Sequence, residues 1–417
     1  MPSSRSLEVR PRVDVVGGVY RERCRLPSNS DETWGSGGRA AAVIAGLGLD
    51  TTLTTAVDSQ TEGLLASLAQ TFGFETNITN IGVTRQFQYD HALSSPVIWP
   101  PVSSRETTHL TVEADNVLVF GMLEATVAAH AARVVYDPQS PLSPEPFKAP
   151  TASSPNIAYV LNGTEARRLA AVDSPEEAAR RVAAEFGADV VVIKRGAWGA
   201  LVCEGGRCER VPAYATKQIW PIGSGDVFAA VFAASWAGES LSAVESATRA
   251  SRAAAVYVND RVLPIPADSI DSAGSFPFAP VLLDERALDV GEFHVYLAGP
   301  FFNIAQRWLV EEARLALLGM GLQVFSPLHD VGLGLAHDVA PKDIDGLKAS
   351  RAVLALVDGL DTGTVFEIGY ARSLGKPVVV LAQSTPEEPL KMLAGTACDV
   401  VSDFVTALYR VAWAARV

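Results

Sequence analysis

The sequence predicts an α/β protein of two doubly wound domains, each a mostly parallel sheet flanked by helices. Three observations predict it. Short apolar runs alternate with stretches of helical spacing along most of the 417 residues. Glycine-rich turns precede helices at Gly35-Ser36-Gly37-Gly38, Gly223-Ser224-Gly225 and Gly299-Pro300. Periodicity lapses once, between Val262 and Gly291, where Leu-Pro-Ile-Pro266 and Ser-Ala-Gly-Ser-Phe-Pro277 read as a linker. The expected division is therefore a first domain over 1–263, a linker over 264–291 and a second domain over 292–417.

Taken in order, Val13 to Val16 reads as a strand ended by Gly17-Gly18, and a polar segment runs from there to Trp34. An Ala-rich helix follows over Arg39 to Gly46. Thr51 to Val57 reads as a strand and Glu62 to Phe72 as a helix. Arg85 to Trp99, carrying Tyr89, looks like β structure that forms a small lid. Val117–Phe120, Arg133–Tyr136, Ile157–Leu161 and Val190–Ile193 are further strands, most of them separated by helical stretches. In the second domain His294 to Ala298 is a strand. Helical spacing then places Ile304, Trp308, Ala313, Leu315 and Leu318 as core positions. Leu322–Phe325 and Ala352–Val357 are strands, and Ser402 to Val417 is an amphipathic helix that packs between subunits or caps the sheet.

Composition narrows the function classes. A hydrophobic content of 48% describes a soluble globular chain. The net charge of −13 argues against a general nucleic-acid or membrane-surface partner. No apolar run is long enough to span a bilayer and the N-terminus lacks a signal-peptide core, so a cytoplasmic location is expected. Four scattered cysteines show no zinc spacing; Cys203 and Cys208 face each other across Gly205-Gly206, where either a disulfide or a reduced pair fits, and the reduced pair is the favoured expectation.

Two stretches carry chemistry. In Asp361-Thr-Gly-Thr364-Val-Phe-Glu367-Ile-Gly-Tyr-Ala371, an apolar strand gives way to a helix, with Thr364 as the expected N-cap. Glu367 then falls in the first turn at the carboxyl end of a strand, where open α/β sheets bind ligands. The helix dipole is expected to keep it ionised. In Gly223-Ser224-Gly225-Asp226, glycines let backbone amides turn toward one point before a helix starts, which makes an anion site with Asp226 at its lip.

The neighbours of Glu367 sharpen the reading. Tyr296-Leu-Ala-Gly-Pro-Phe-Phe302, the helix opened by Asp343, and Asp-x-Gly-Thr-x-x-Glu-x-Gly-x-Ala resemble the nucleoside 2-deoxyribosyltransferase family from about Phe293 onward. The resemblance implies a flavodoxin-like or Rossmann-like sheet and cleavage or exchange of an N-glycosidic bond without a cofactor. Glu367 would be the nucleophile and Tyr296 would fix its rotamer. Asp361 and Asp343 would face the base, one of them as proton donor, with Asp345 competing for that place. Gly299, Pro300, Phe301 and Phe302 would form the sugar-side loop, and Gly-Pro-Phe-Phe looks like the nucleoside-using branch. Ser350-Arg351 stands where the family often has Ala-Asp. The family also implies a homo-oligomer.

The first domain, over roughly residues 10–265, resembles the ribokinase-like (PfkB-type) kinases. The matching signals are Gly35-Ser-Gly-Gly38, Asp137-Pro138, Asn162-Gly-Thr-Glu165, Val191-Val-Ile-Lys194-Arg-Gly196-Ala-Trp-Gly199 and Gly223-Ser224-Gly225-Asp226. The resemblance implies ATP and Mg²⁺, with Asp226 as catalytic base. Gly223, Ser224 and Gly225 would form the anion hole. Asn162 and Glu165 would organise Mg²⁺ and phosphates, Glu165 indirectly. Lys194 and Gly196 would lie beside the nucleotide, and Gly37, Gly38 and Glu22 on the acceptor side. Two departures fall at the acceptor end. Glu22 stands near where the family places an Asp, and Arg39-Ala-Ala-Ala42 replaces a helix that usually carries an Asn.

The two resemblances together imply a bifunctional enzyme acting on nucleosides and pentoses. The alternative is a single nucleoside glycosylase or transferase whose kinase-like half senses a ligand or supports assembly without catalysis.

Overall fold

A computed structural model describes residues 10–101, 108–140, 143–148, 155–271, 276–283 and 288–416. The chain divides into two compact units, residues 1–216 with 220–280, and residues 217–219 with 281–417. Much of the expected linker belongs with the first unit. The helix Ala267–Asp271 lies there, and Ala279–Pro280 pairs with Tyr214–Ala215. Residues 272–275 and 284–287 of that linker are outside the described ones.

The first unit is built on a nine-stranded sheet. In spatial order its strands are Arg207–Val211, Ala200–Glu204, Val190–Lys194, Asn156–Asn162, Ala125–Asp137, Thr108–Phe120, Asp14–Val16, Thr52–Val57 and Glu75–Asn80. All neighbours are parallel except at the Arg207–Val211 end, where two antiparallel pairs form. Chain order reverses beside Asp14–Val16, so the ligand crevice of such a sheet falls there. Thr108–Phe120 and Ala125–Asp137 are joined by only four residues and hold one parallel register throughout. The chain therefore coils like one turn of a solenoid, and the ladder is interrupted between Ala114 and Asn116.

The polar segment before Trp34 forms two strands, Arg21–Leu26 and Ser30–Thr33. With Gln86–His91 and Val97–Trp99 they complete a separate four-stranded sheet, the expected lid. Period-two alternation is weak there because both faces are partly wet. The helix expected from Arg39 starts earlier and spans Gly35–Gly46, so its glycines are helical. Gly37 lies against Gly17, and a Cβ on Gly37 would sit 2.6 Å from the Gly17 carbonyl oxygen. Cys203 and Cys208 are bonded to each other, which corrects the expectation of a reduced pair. They are direct cross-strand partners in the hairpin, close enough to bridge.

The second unit holds a five-stranded parallel sheet in the order Val324–Phe325, Phe293–Ala298, Ser350–Leu356, Val378–Leu381, Asp399–Val401. This is the flavodoxin-like order, with its switch point between Phe293–Ala298 and Ser350–Leu356. The helix Phe404–Arg416 buries Phe404, Leu408, Val411 and Ala412 and caps the sheet. The helix Ile304–Gly319 turns a different face inward than its spacing suggested. Val310, Ala313 and Leu317 are buried, whereas Ile304, Trp308, Leu315 and Leu318 are exposed, Ile304 at 88%. Helical periodicity identifies an apolar stripe but not which of two stripes meets the sheet. No described helix is long and apolar enough to cross a membrane.

Candidate functional site

In the second unit the side chains meet at the switch point. Tyr296 is buried within its strand, and its ring stacks on Phe325 at 5.5 Å between centroids. Its hydroxyl donates to Glu367 Oε1 at 2.7 Å. Asp361, not Thr364, caps the helix Thr362–Ser373; its Oδ2 accepts from the Thr364 amide and hydroxyl. The helix thus starts earlier than expected, and Glu367 lies beyond its first turn.

This placement changes the expected charge of Glu367. Burial pushes its carboxyl up to about 7, against the pull of the Tyr296 hydrogen bond, with Asp343 and Asp361 adding to the rise. Desolvation outweighs a dipole that fades past the first turn. The Tyr296 hydroxyl is in turn held neutral, by burial first and then by Glu367.

Asp343 reaches the same place through backbone packing. A Cβ on Gly346 would lie 2.3 Å from the Phe325 ring, so only glycine lets the helix Ala336–Ala349 rest there. Asp343 is one turn earlier on that face. Burial raises its carboxyl, and its buried Oδ1 has no hydrogen-bond partner. Asp345, its competitor, is exposed and pairs with Lys348. Gly299 and Pro300 follow the Tyr296 strand, and a cavity of ≈ 160 Å³ lies beside Pro300, lined by Gln306, Leu356 and Asp358. Phe301 is half-buried, Phe302 is 70% exposed, and their rings lie 5.5 Å apart.

In the first unit Gly223 has φ 81° and caps the helix Ser224–Ala233. The Ser224 amide donates to the Pro221 carbonyl and the Asp226 amide to that of Gly223, so the turn itself uses those two donors. Asp226 is buried. Its Oδ1 accepts from Gln139 Nε2 at 2.6 Å and its Oδ2 from Arg39 Nη1 at 2.7 Å. Lys194 pairs with buried Asp137, and its Nζ lies 3.5 Å from where a Cβ on Gly225 would be. Burial works against the Lys194 charge, but Asp137, Glu165 and Asp226 outweigh it. Asn162 and Glu165 form a capping box. Asn162 Oδ1 accepts from the Thr164 and Glu165 amides, and Glu165 Oε2 accepts from the Asn162 amide. Gly196 lies in the tight turn after Lys194. Gly38 is buried on the helix that carries Arg39.

Arg39 is the residue whose role sequence reasoning missed. It is 1% exposed and donates to Glu22 Oε2 at 2.5 Å, Asp226 Oδ2 at 2.7 Å, Tyr257 Oη at 3.1 Å and the Gly35 carbonyl at 3.3 Å. Its guanidinium lies over Gly223, where a Cβ would come within 2.3 Å of Cζ. One signal was available: a lone Arg in an Ala-rich buried helix needs a distant acid. Tyr89 of the lid also belongs here, since burial, then Glu22 and Asp226, raise its hydroxyl. Gln139 and Asp137 were legible only as the neighbourhood of Asp-Pro.

Comparisons with known proteins agree with both halves. The model of the pfkB family carbohydrate kinases matches residues 35–263, and that of the nucleoside 2-deoxyribosyltransferases matches residues 295–396. A probable sugar kinase from Rhizobium etli is 14% identical, with 64% of this chain and 99% of that chain covered and a TM-score of 0.50. Phosphofructokinase-2 from Escherichia coli in complex with potassium is 15% identical over 62% and 98% of the two chains, TM-score 0.47. A fructokinase from Vibrio cholerae is 14% identical over 62% and 96%, TM-score 0.47. At such identities the likeness speaks to fold alone. No curated protein matches.

Proposed function

Because this chain belongs to the pfkB family of carbohydrate kinases, matched over residues 35–263, we propose that it is a two-activity enzyme of nucleoside and sugar metabolism. The second unit breaks or exchanges the N-glycosidic bond of a nucleoside. The first unit phosphorylates a hydroxyl of a sugar or nucleoside. The observation that carries the reading is the 2.7 Å hydrogen bond from Tyr296 to Glu367 at the switch point.

In the second unit ionised Glu367 attacks the anomeric carbon as the bond to the base breaks. The leaving nitrogen takes a proton from Asp343, and a glycosyl ester remains on Glu367. Water or a second base then attacks the same carbon, returns the proton to Asp343 and frees Glu367. Of the two candidate acids, Asp343 suits the donor role: burial favours its protonated form and its Oδ1 is unused, whereas Asp361 is occupied as a cap. Tyr296 holds the nucleophile in line. Tyr296→Phe is expected to slow base release by about 10- to 100-fold. Because the lost hydrogen bond is one that lowers the Glu367 pKa, the acid limb of the rate profile moves to higher pH; a pH series on both proteins checks this.

In the first unit Asp226 takes the proton of the acceptor hydroxyl as its oxygen attacks the γ-phosphorus of ATP, and ADP leaves. Lys194 and the start of the helix Ser224–Ala233 face the transferred charge. Among the described residues no group of three or more His, Cys, Asp or Glu is placed to hold a metal ion. Mg²⁺ needs only one or two carboxylates beside nucleotide phosphates. The buried Asp137 Oδ1, which has no partner, fits such a ligand, with Glu165 nearby in charge. Bound Mg²⁺ would offset phosphate charge.

The test is incubation with a nucleoside mixture, with and without ATP, and product identification by mass. Glu367-dependent base release and Asp226-dependent ADP formation are expected. If released sugar feeds the kinase, Glu367→Ala abolishes nucleoside-dependent ATP consumption; unchanged consumption excludes that order. The Arg39–Asp226 pair favours a second reading, a kinase-like half that binds without turnover. ADP formation with pentoses and nucleosides no higher than in Asp226→Ala would select it. The exposed stripe Ile304, Trp308, Leu315 and Leu318 supports a homo-oligomer, which sedimentation velocity reads directly.

A further inference from the structure

We propose that Arg39 is a latch on the base of the first unit: phosphoryl transfer requires its guanidinium to leave Asp226 and turn onto Glu22. The inference rests on the reading of Asp226 as the base.

The surroundings of Arg39 argue that its charge is there for the site and not for packing. The helix Gly35–Gly46 otherwise buries small or aliphatic side chains, Ser36, Gly37, Gly38, Ala40, Ala41, Ala42, Val43 and Ile44. A guanidinium in such a row is costly unless opposite charges meet it, and an apolar side chain would fill the space at lower cost. Both carboxylates that meet it come from the acceptor end. Glu22 lies on the lid strand Arg21–Leu26 and Asp226 on the helix after Gly223.

In the observed arrangement the base is engaged on both oxygens, by Gln139 and by Arg39. A proton placed on Asp226 would strip a buried guanidinium of one of its two counter-charges. The alternative partner is already in position. Arg39 Nη2 is 2.5 Å from Glu22 Oε2, while Nη1 is 3.5 Å from Glu22 Oε1. A small rotation closes that second contact into a two-pronged pair, the strongest geometry an arginine makes with a carboxylate. It leaves Asp226 Oδ2 open to an acceptor hydroxyl. Glu22 is thus the group that lets the latch open, and its place on the lid ties that opening to the lid.

Opposite signs test the idea. Arg39→Asn is expected to raise kcat for ATP-dependent phosphorylation of a pentose or nucleoside by about tenfold, with KM for ATP unchanged. Arg39→Lys, which can hold only one carboxylate well, falls between. Glu22→Gln, which removes the alternative partner, lowers kcat by about tenfold. In the double variant Arg39→Asn/Glu22→Gln the Glu22 effect disappears, the non-additivity that marks one unit. The double variant also keeps the cluster's net charge, so it guards against misfolding of Arg39→Asn, checked by thermal melting. Should Arg39→Asn and the double variant be no faster than a parent that shows Asp226-dependent transfer, the latch is refuted and the kinase reading stands. If parent and variants alike form no ADP beyond Asp226→Asn, both are refuted.

Discussion

Glu367→Gln is expected to reduce base release from nucleosides by about 10⁴-fold, because it removes the nucleophile and keeps the shape of the site. Release of free base, followed by chromatography, reads the loss. In the parent the rate should climb as pH passes through about 7, since attack needs the carboxylate and burial holds the carboxyl near that value. Stability should move the other way. A folded-state pKa raised above the unfolded one makes a contribution that is present below about pH 4 and is lost as pH rises through about 7. The glutamine carries no such ionisation. At pH 8 the variant should therefore be more stable than the parent by about 3 kcal/mol, and the difference should vanish in acid. Denaturant unfolding at the two pH values checks it. A variant that keeps base-release activity would remove Glu367 from the mechanism.

Asp226→Asn should lower phosphoryl transfer by about 10²- to 10⁴-fold, the range expected for a positioned base. Nucleotide binding should persist, since Lys194, Asp137 and the helix start are unchanged. A fall in kcat with little change in KM for ATP distinguishes loss of the base from loss of the site. Stability should suffer less than for an ordinary buried ion pair. Arg39 retains Glu22 at 2.5 Å and can close its second contact to it, so the guanidinium is not left without a counter-charge.

The two sites differ in how much of them was legible. The pairing of Tyr296 with Glu367 could be anticipated because each lies where an adjacent strand or the helix following it delivers side chains to the switch point. The capping residue could not be told between Asp361 and Thr364, which differ by one turn of helix. Asp343 was separated from Asp345 only by the closeness of Gly346 to Phe325, a contact between segments far apart in the chain. At the other site, Asp226 and its glycines announced themselves locally, while the partner that restrains Asp226 lies 187 residues away.

The residues alone determined the two α/β halves, the glycine turns at the strand ends and which carboxylates stand as candidates beside them. Those features depend on neighbours a few positions apart, through periodicity and turn conformation. Tertiary structure decided the rest: the raised pKa of Glu367, the inward face of the helix Ile304–Gly319, the Cys203–Cys208 bond and the hold of Arg39 on Asp226. Desolvation and charge compensation are properties of what surrounds a group in space, and they exist only once distant segments have packed together.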